Sequence, residues 1–127
     1  MKPKKMGRLI RGRDNVTVLA RVQWCDSFLC RLRGLMFRQS LASDEGLLLV
    51  EKHESRASTS IHMLFMAFPI AAVWLDESLH VVDMVLAKPW RPAYISRKPA
   101  LYTLEAVPQI LDHLSIGDAV IFEKFSQ

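Results

Sequence analysis

The stretch "SIHMLFMAFPIAAVWLD", residues 60–76, is the feature that most constrains this chain. From Met63 to Leu75 it is apolar for 13 consecutive residues, with Pro69 in the middle. A membrane-spanning helix needs about 20 such residues, so a single spanning helix is excluded. Apolar and polar residues do not alternate along the run, so strands formed here should be covered on both faces. It is expected to fill the interior as two strands, at about 61–66 and 70–75. Pro69 should fall at a strand start, an edge or a bulge, because proline cannot donate to a ladder.

An interior of that kind suits the rest of the chain. A length of 127 residues is enough for one domain that buries a core without metal or disulfide support. Half the residues are hydrophobic and 24% charged, a globular balance. The net charge of +4 is uneven: Lys2, Lys4, Lys5, Arg8, Arg11 and Arg13 precede residue 14, and the remaining 11 basic residues face 13 acidic ones. Residues 1–14 are therefore expected to be a flexible basic tail, and 15–127 a single globular domain. The tail could touch nucleic acid or an anionic membrane surface weakly, with steep salt dependence. The body shows no basic face, which argues against nucleic-acid binding as its main task. "MKPKKMGRLIRGRD" has a charged start without an apolar core of about seven residues or more, so a cytoplasmic address is expected.

"VTVLARV" (16–22) is β-branched and reads as a strand. "CDSFLCRLRG" reads as a short helix with Asp26 as N-cap and Gly34 ending it in a left-handed conformation. Cys25 and Cys30 then take the two positions of a hydrophobic staple, as free thiols in a reducing compartment. "LLLV" (47–50) is a buried strand, "EKHESRAST" a polar loop, and "LHVVDMVLA" (79–87) the return of a hairpin. "KPWRPAYISRKP" (88–99), with three prolines and four cations, is a stiff irregular loop. "ALYTLEAV" alternates, with Leu101, Thr103 and Glu105 on one side. Pro108 opens a short helix to about Leu114, and "AVIFEKF" is the last strand. The fold class is α+β, mostly β: a curled, mainly antiparallel sheet or partial barrel of about six strands with two short helices.

No pattern for conventional catalysis is present. The four histidines lack metal-ligand spacing, there is no GxSxG, and five scattered glycines form no phosphate loop. No metal, cofactor or catalytic residue is assigned. His62 is expected to be a hydrogen-bonded structural histidine, with ligand contact as the second reading. As an acid–base catalyst it would need Asp76 or Asp83 within reach. Arg33 and Arg38 flank "GLMF", and Arg91 lies in "PWRP" beside Trp90; guanidinium groups beside turns and aromatics suit carboxylate or phosphate capture. Met36, Met63 and Met66 read as gap-filling core rather than a soft-metal site.

"LRGLMFRQSLASDEGLLL", "SIHMLFMAFPIAAVWLD" and "VLAKPWRP" together resemble a family of small bacterial and archaeal proteins, domain of unknown function family 192. The resemblance runs from about Arg31 to Phe122. It implies a compact, mostly β fold with some helix and no established activity. Two places depart from the family: Ala71 follows Ile70 where an acid is usual, and "LEAVPQI" replaces a "LELPAG"-like segment, so its glycine is absent. The combined expectation is a non-catalytic domain that binds a small anionic ligand or a protein partner. Arg33, Arg38, His62, Asp76, Trp90 and Arg91 are the candidate contacts.

Overall fold

The computed structural model describes residues 4–126. Seven strands form one sheet: β1 (Lys5–Arg11), β2 (Val16–Cys25), β3 (Glu45–Ser55), β4 (Ile70–Leu75), β5 (Val81–Ala87), β6 (Ala100–Ala106) and β7 (Val120–Lys124). Their spatial order is β5-β4-β6-β3-β2-β1-β7. Every neighbouring pair is antiparallel except β2 and β3, which run parallel. A parallel pair needs a long crossover, and residues 26–44 supply it. The crossover carries α1 (Phe28–Arg33), while a 3-10 helix (Pro108–Asp112) follows β6. The architecture is thus mostly β as expected, but with seven strands in a mixed sheet, one α-helix and one 3-10 turn.

Residues 5–11 are the main correction. Expected to belong to a mobile tail, they form β1 between β2 and β7. Leu9 and Ile10 are buried, and Arg8, Arg11 and Arg13 pair with Glu123, Asp14 and Asp118. Three of the cations that suggested a tail are thus paired with acids, while Lys5 lies over the Trp24 ring, 4.4 Å from its centroid. Lys2, also assigned to that tail, lies outside the described residues.

The apolar run does fill the interior, though only its second half is a strand. Ala71, Val73 and Leu75 of β4 join one core with Leu48, Leu104 and the 3-10 residue Ile110. Ile70, Ala72 and Trp74 join a second core on the other face with Leu47, Leu49, Met63 and Met66. Burial on both faces is why no period of two appears there. Ala71 sits in the first core with no exposure, so an acid at that place would lie among apolar side chains. Residues 61–66 instead fold back as a loop that covers the second core. Trp74 Nε1–H fastens this loop by donating to the Thr59 carbonyl at 2.7 Å, and Thr103 donates to the same oxygen.

The sheet curls without closing. At one corner its two edges touch: Val81 N–H donates to the Asp118 carbonyl (2.9 Å) and Val120 N–H to that of Leu79 (2.9 Å). Around α1 the N-cap is Ser27 rather than Asp26; its Oγ accepts from Cys30 N–H. Cys25 and Cys30 are joined as a disulfide. The expected proximity of the two cysteines was right, and their expected free-thiol state was not.

Candidate functional site

Three irregular segments meet over the second core. Residues 34–38 follow α1, residues 59–68 precede β4, and residues 88–94 follow β5. Main-chain bonds stitch them together. Met63 N–H donates to the Arg91 carbonyl (2.8 Å), and Trp90 N–H to that of Met63 (2.7 Å). Phe37 N–H donates to the Phe65 carbonyl (3.2 Å), and Ile61 and Tyr94 exchange bonds in both directions. The loops are therefore a built surface.

That surface carries an aromatic ledge. The Phe37 and Phe65 rings lie 5.2 Å apart, and the Phe65 and Trp90 rings also 5.2 Å. All three are open to solvent, at 67%, 49% and 58%. All three also have left-handed backbone, with φ of 67°, 62° and 67°. Bulky residues rarely adopt that conformation, and strain of this kind concentrates at functional positions. Among the described residues only Asn15 and Leu79 share it outside glycine. On α1, Phe28, Leu29 and Leu32 are also exposed; none of the helix is buried.

Beside the ledge is a pocket of about 190 Å³, lined by Arg33, Met36, His62, Met63, Met66 and Glu105 among others. A wider, more polar one of about 470 Å³, lined in part by Arg21, Gln23, Arg38 and Glu45, shares Arg33, Gly34 and Leu35 with it. Gly34 serves the smaller pocket in two ways. Its φ of +51° suits glycine, and a Cβ there would lie 3.2 Å from Glu105 Oε1.

Glu105 is the least expected group. It sits on β6, paired with β3 at Leu47 and with β4 at Ala72. It is only 5% exposed, and no hydrogen bond or ion pair to its side chain is found among the described residues. Burial pushes its pKa up to about 7. A buried acid without a partner is unusual, because the charged form loses its solvation and gains nothing in exchange.

The expected site residues are divided by the structure. Arg33 and His62 share the smaller pocket. Arg33 is exposed and has no ion pair among the described residues. His62 Nδ1 accepts from Leu64 N–H at 3.3 Å, which places the proton of the neutral ring on Nε2. Trp90 belongs to the ledge, and Arg91 is exposed beside it. Arg38 is committed elsewhere, giving two parallel bonds to Glu45 at 2.7 and 3.0 Å, which hold that carboxyl below its ordinary value. Asp76 lies at the far end of β4 and caps the turn to β5, accepting from Ser78 and His80 N–H.

His62 makes no bond to Asp76 or Asp83. Burial pushes Asp83 up, but the Arg97 guanidinium and the Arg97 and Met84 N–H groups outweigh it and hold the carboxyl below its usual range. Neither aspartate is placed to orient His62. Phe37, Phe65 and Glu105 were not among the expected contacts. Glu105 left a trace, as an acid in the middle of an otherwise apolar and hydroxylated strand.

A family model described as "DUF192: Uncharacterized ACR, COG1430" matches residues 9–122. A UPF0127 protein of Thermococcus kodakarensis is 39% identical over 102 residues, 79% of this chain and 63% of that protein. One from Thermococcus sibiricus is 37% identical over 105 residues, 81% of this chain and 66% of its own length. This chain thus spans just under two thirds of those two relatives. A UPF0127 protein of Pyrococcus furiosus is 37% identical over 95 residues, covering 75% of this chain and 78% of the relative. Among solved structures, a Sinorhizobium meliloti protein provisionally described as a transcription regulator superposes with a TM-score of 0.80 at 23% identity, over 94% of both chains. A Novosphingobium aromaticivorans protein of unknown function gives 0.75 at 18%, over 94% of this chain and 83% of that one. At such identities these two structures speak for the fold alone.

Proposed function

We propose, for a chain that belongs to the DUF192 family, that its converged loops bind a small amphipathic anion without chemical change. The apolar part of the ligand rests on the Phe37–Phe65–Trp90 ledge and the methionine wall. Its carboxylate or phosphate meets Arg33. The observation that carries this reading is the exposed aromatic ledge on strained backbone, whose loops also line a pocket with Arg33, a guanidinium without an ion pair among the described residues. Rigid aromatic surface gives contact area at little entropic cost, and guanidinium groups suit planar anions. Of the wider set read from sequence, Arg91 and His62 stay in the proposal, while Arg38 and Asp76 have other partners and leave it.

A nucleic-acid reading gains no support, because Arg8, Arg11 and Arg13 are already paired. Among the described residues no helix is long and apolar enough to cross a membrane. A cytoplasmic address remains part of the proposal and sets a condition. Thiol pairs there are kept reduced in most organisms, so Cys25–Cys30 would have to resist the cellular reductants.

Titration calorimetry with alkyl and aryl carboxylates and phosphates tests the reading. Arg33→Gln and Phe65→Ala should each weaken capture by about tenfold or more, as loss of a charge-assisted bond or a large aromatic contact does. Binding that neither variant alters, or no binding across the panel, overturns it.

A further inference from the structure

We infer that the pocket takes a small zwitterion with an apolar body, such as an amino acid with an apolar side chain, its ammonium group on Glu105 and its carboxylate on Arg33. This deepens the reading of anion capture at Arg33 and rests on it.

The Glu105 carboxyl has no side-chain or main-chain partner among the described residues. Its side chain is 5% exposed, yet among the described residues no fully enclosed side-chain oxygen or nitrogen lacks a hydrogen bond. Its unpartnered carboxyl therefore keeps an opening, and the pocket that it lines is that opening. The two arginines that line the pocket do not pair with Glu105. Arg31 donates to the Asp26 and Val50 carbonyls and lies 3.4 Å from Glu51, and Arg33 forms no pair with Glu105. A buried carboxylate without a counter-charge is stabilised most by a cation brought in from outside.

The walls select the kind of cation. Apart from Glu105, the lining side chains offer one oxygen, the Ser60 hydroxyl, and the His62 imidazole, too few to complete the shell of a hard divalent ion. No group of three His, Cys, Asp or Glu suited to a metal occurs among the described residues. Thioethers favour soft ions whereas a carboxylate is a hard donor, so the set suits no one metal well. An ammonium on an apolar stem fits: the head takes Glu105 and the stem packs on adaptable methionines. A pocket of about 190 Å³ holds a ligand below drug size. The opposite pole of the ligand finds Arg33 and the Nε2–H of His62 at the same pocket.

The test compares three probe sets on the full chain at pH 8 by calorimetry: leucine, methionine and phenylalanine; the same molecules without the amino group; and the same without the carboxyl group. The amino acids should bind at least tenfold more tightly than the des-amino acids. Glu105→Gln should erase that difference while leaving des-amino binding intact, with circular dichroism and the melting temperature reporting that the variant is folded. Des-amino acids that bind as well as amino acids overturn the zwitterion and leave anion capture standing, as does an amino-acid preference that survives in Glu105→Gln. Amines that bind as tightly as amino acids, with no effect of Arg33→Gln, overturn both readings, as does no binding in any set.

Discussion

In the unfolded chain the Glu105 carboxyl gives up its proton near pH 4.5, while in the fold it holds the proton to about pH 7. The native state thus binds more protons than the unfolded state between those values, so this group's contribution to stability falls as pH rises from 4.5 to 7 and then levels off. The loss is roughly 3 kcal/mol. Glu105→Gln should match the wild type near pH 4.5 and exceed it by up to that amount at pH 8, in urea titrations at the two pH values. Parallel curves for the two proteins would show that the side chain is solvated. Phe65 makes a second case. Asparagine tolerates left-handed backbone, but it deletes the ring contacts to Phe37 and Trp90. Phe65→Asn should therefore change stability by less than about 1 kcal/mol and still weaken ligand capture by about tenfold or more; a loss of several kcal/mol would make the ring structural. Arg33, His62 and Trp90, which belong to the proposed site, stood out in the sequence because they are polar or aromatic groups beside turns. Phe37 and Phe65 were not, since nothing in the residue type announces a left-handed phenylalanine. Glu105 hid within a regular alternation, whose side facing the second core the sequence could not label as closed.

At the scale of elements, α1 is the loosest part of the site. None of its six residues is buried. It is held by the Ser27 cap, the bonds of Arg31 to the Asp26 and Val50 carbonyls, and the Cys25–Cys30 link. Closing a loop of this size accounts for about 2 kcal/mol in a chain-entropy treatment. Reduction should lower global stability by no more than that and raise amide exchange across residues 28–34, with β2 and β3 still protected. Unchanged exchange in α1 would mean that the cap and Arg31 suffice. The helix and its stop at Gly34 were readable from spacing, as was β4 behind Pro69. Residues 61–66 misled because composition cannot say where main-chain bonds go. Met63 gives both of its main-chain groups to the 88–91 loop instead of a neighbouring strand, and Phe65 turns the chain away.

For the whole molecule, the decisive pairings are those of β1. In the sheet β7 has no strand neighbour except β1, and Leu9, Ile10 and Val120 are buried there. Deleting residues 1–12 should abolish cooperative unfolding and expose apolar surface to a reporter dye; a melting temperature within a few degrees of the wild type would contradict this. A mostly antiparallel, curled sheet was legible from the strand runs and from the lack of βαβ alternation. The seventh strand and the parallel pair were not. Charges interleaved through "KMGRLIR" mask its apolar positions, and the acid that pairs with Arg8 lies 115 residues away. The order of the strands also bears on synthesis. The hairpin made first, β1–β2, ends between β3 and β7, which are made later. Its outer edge stays unpaired on the ribosome until Val120–Lys124 has emerged, so a nascent chain halted before that point presents a sticky strand to chaperones and to its own copies.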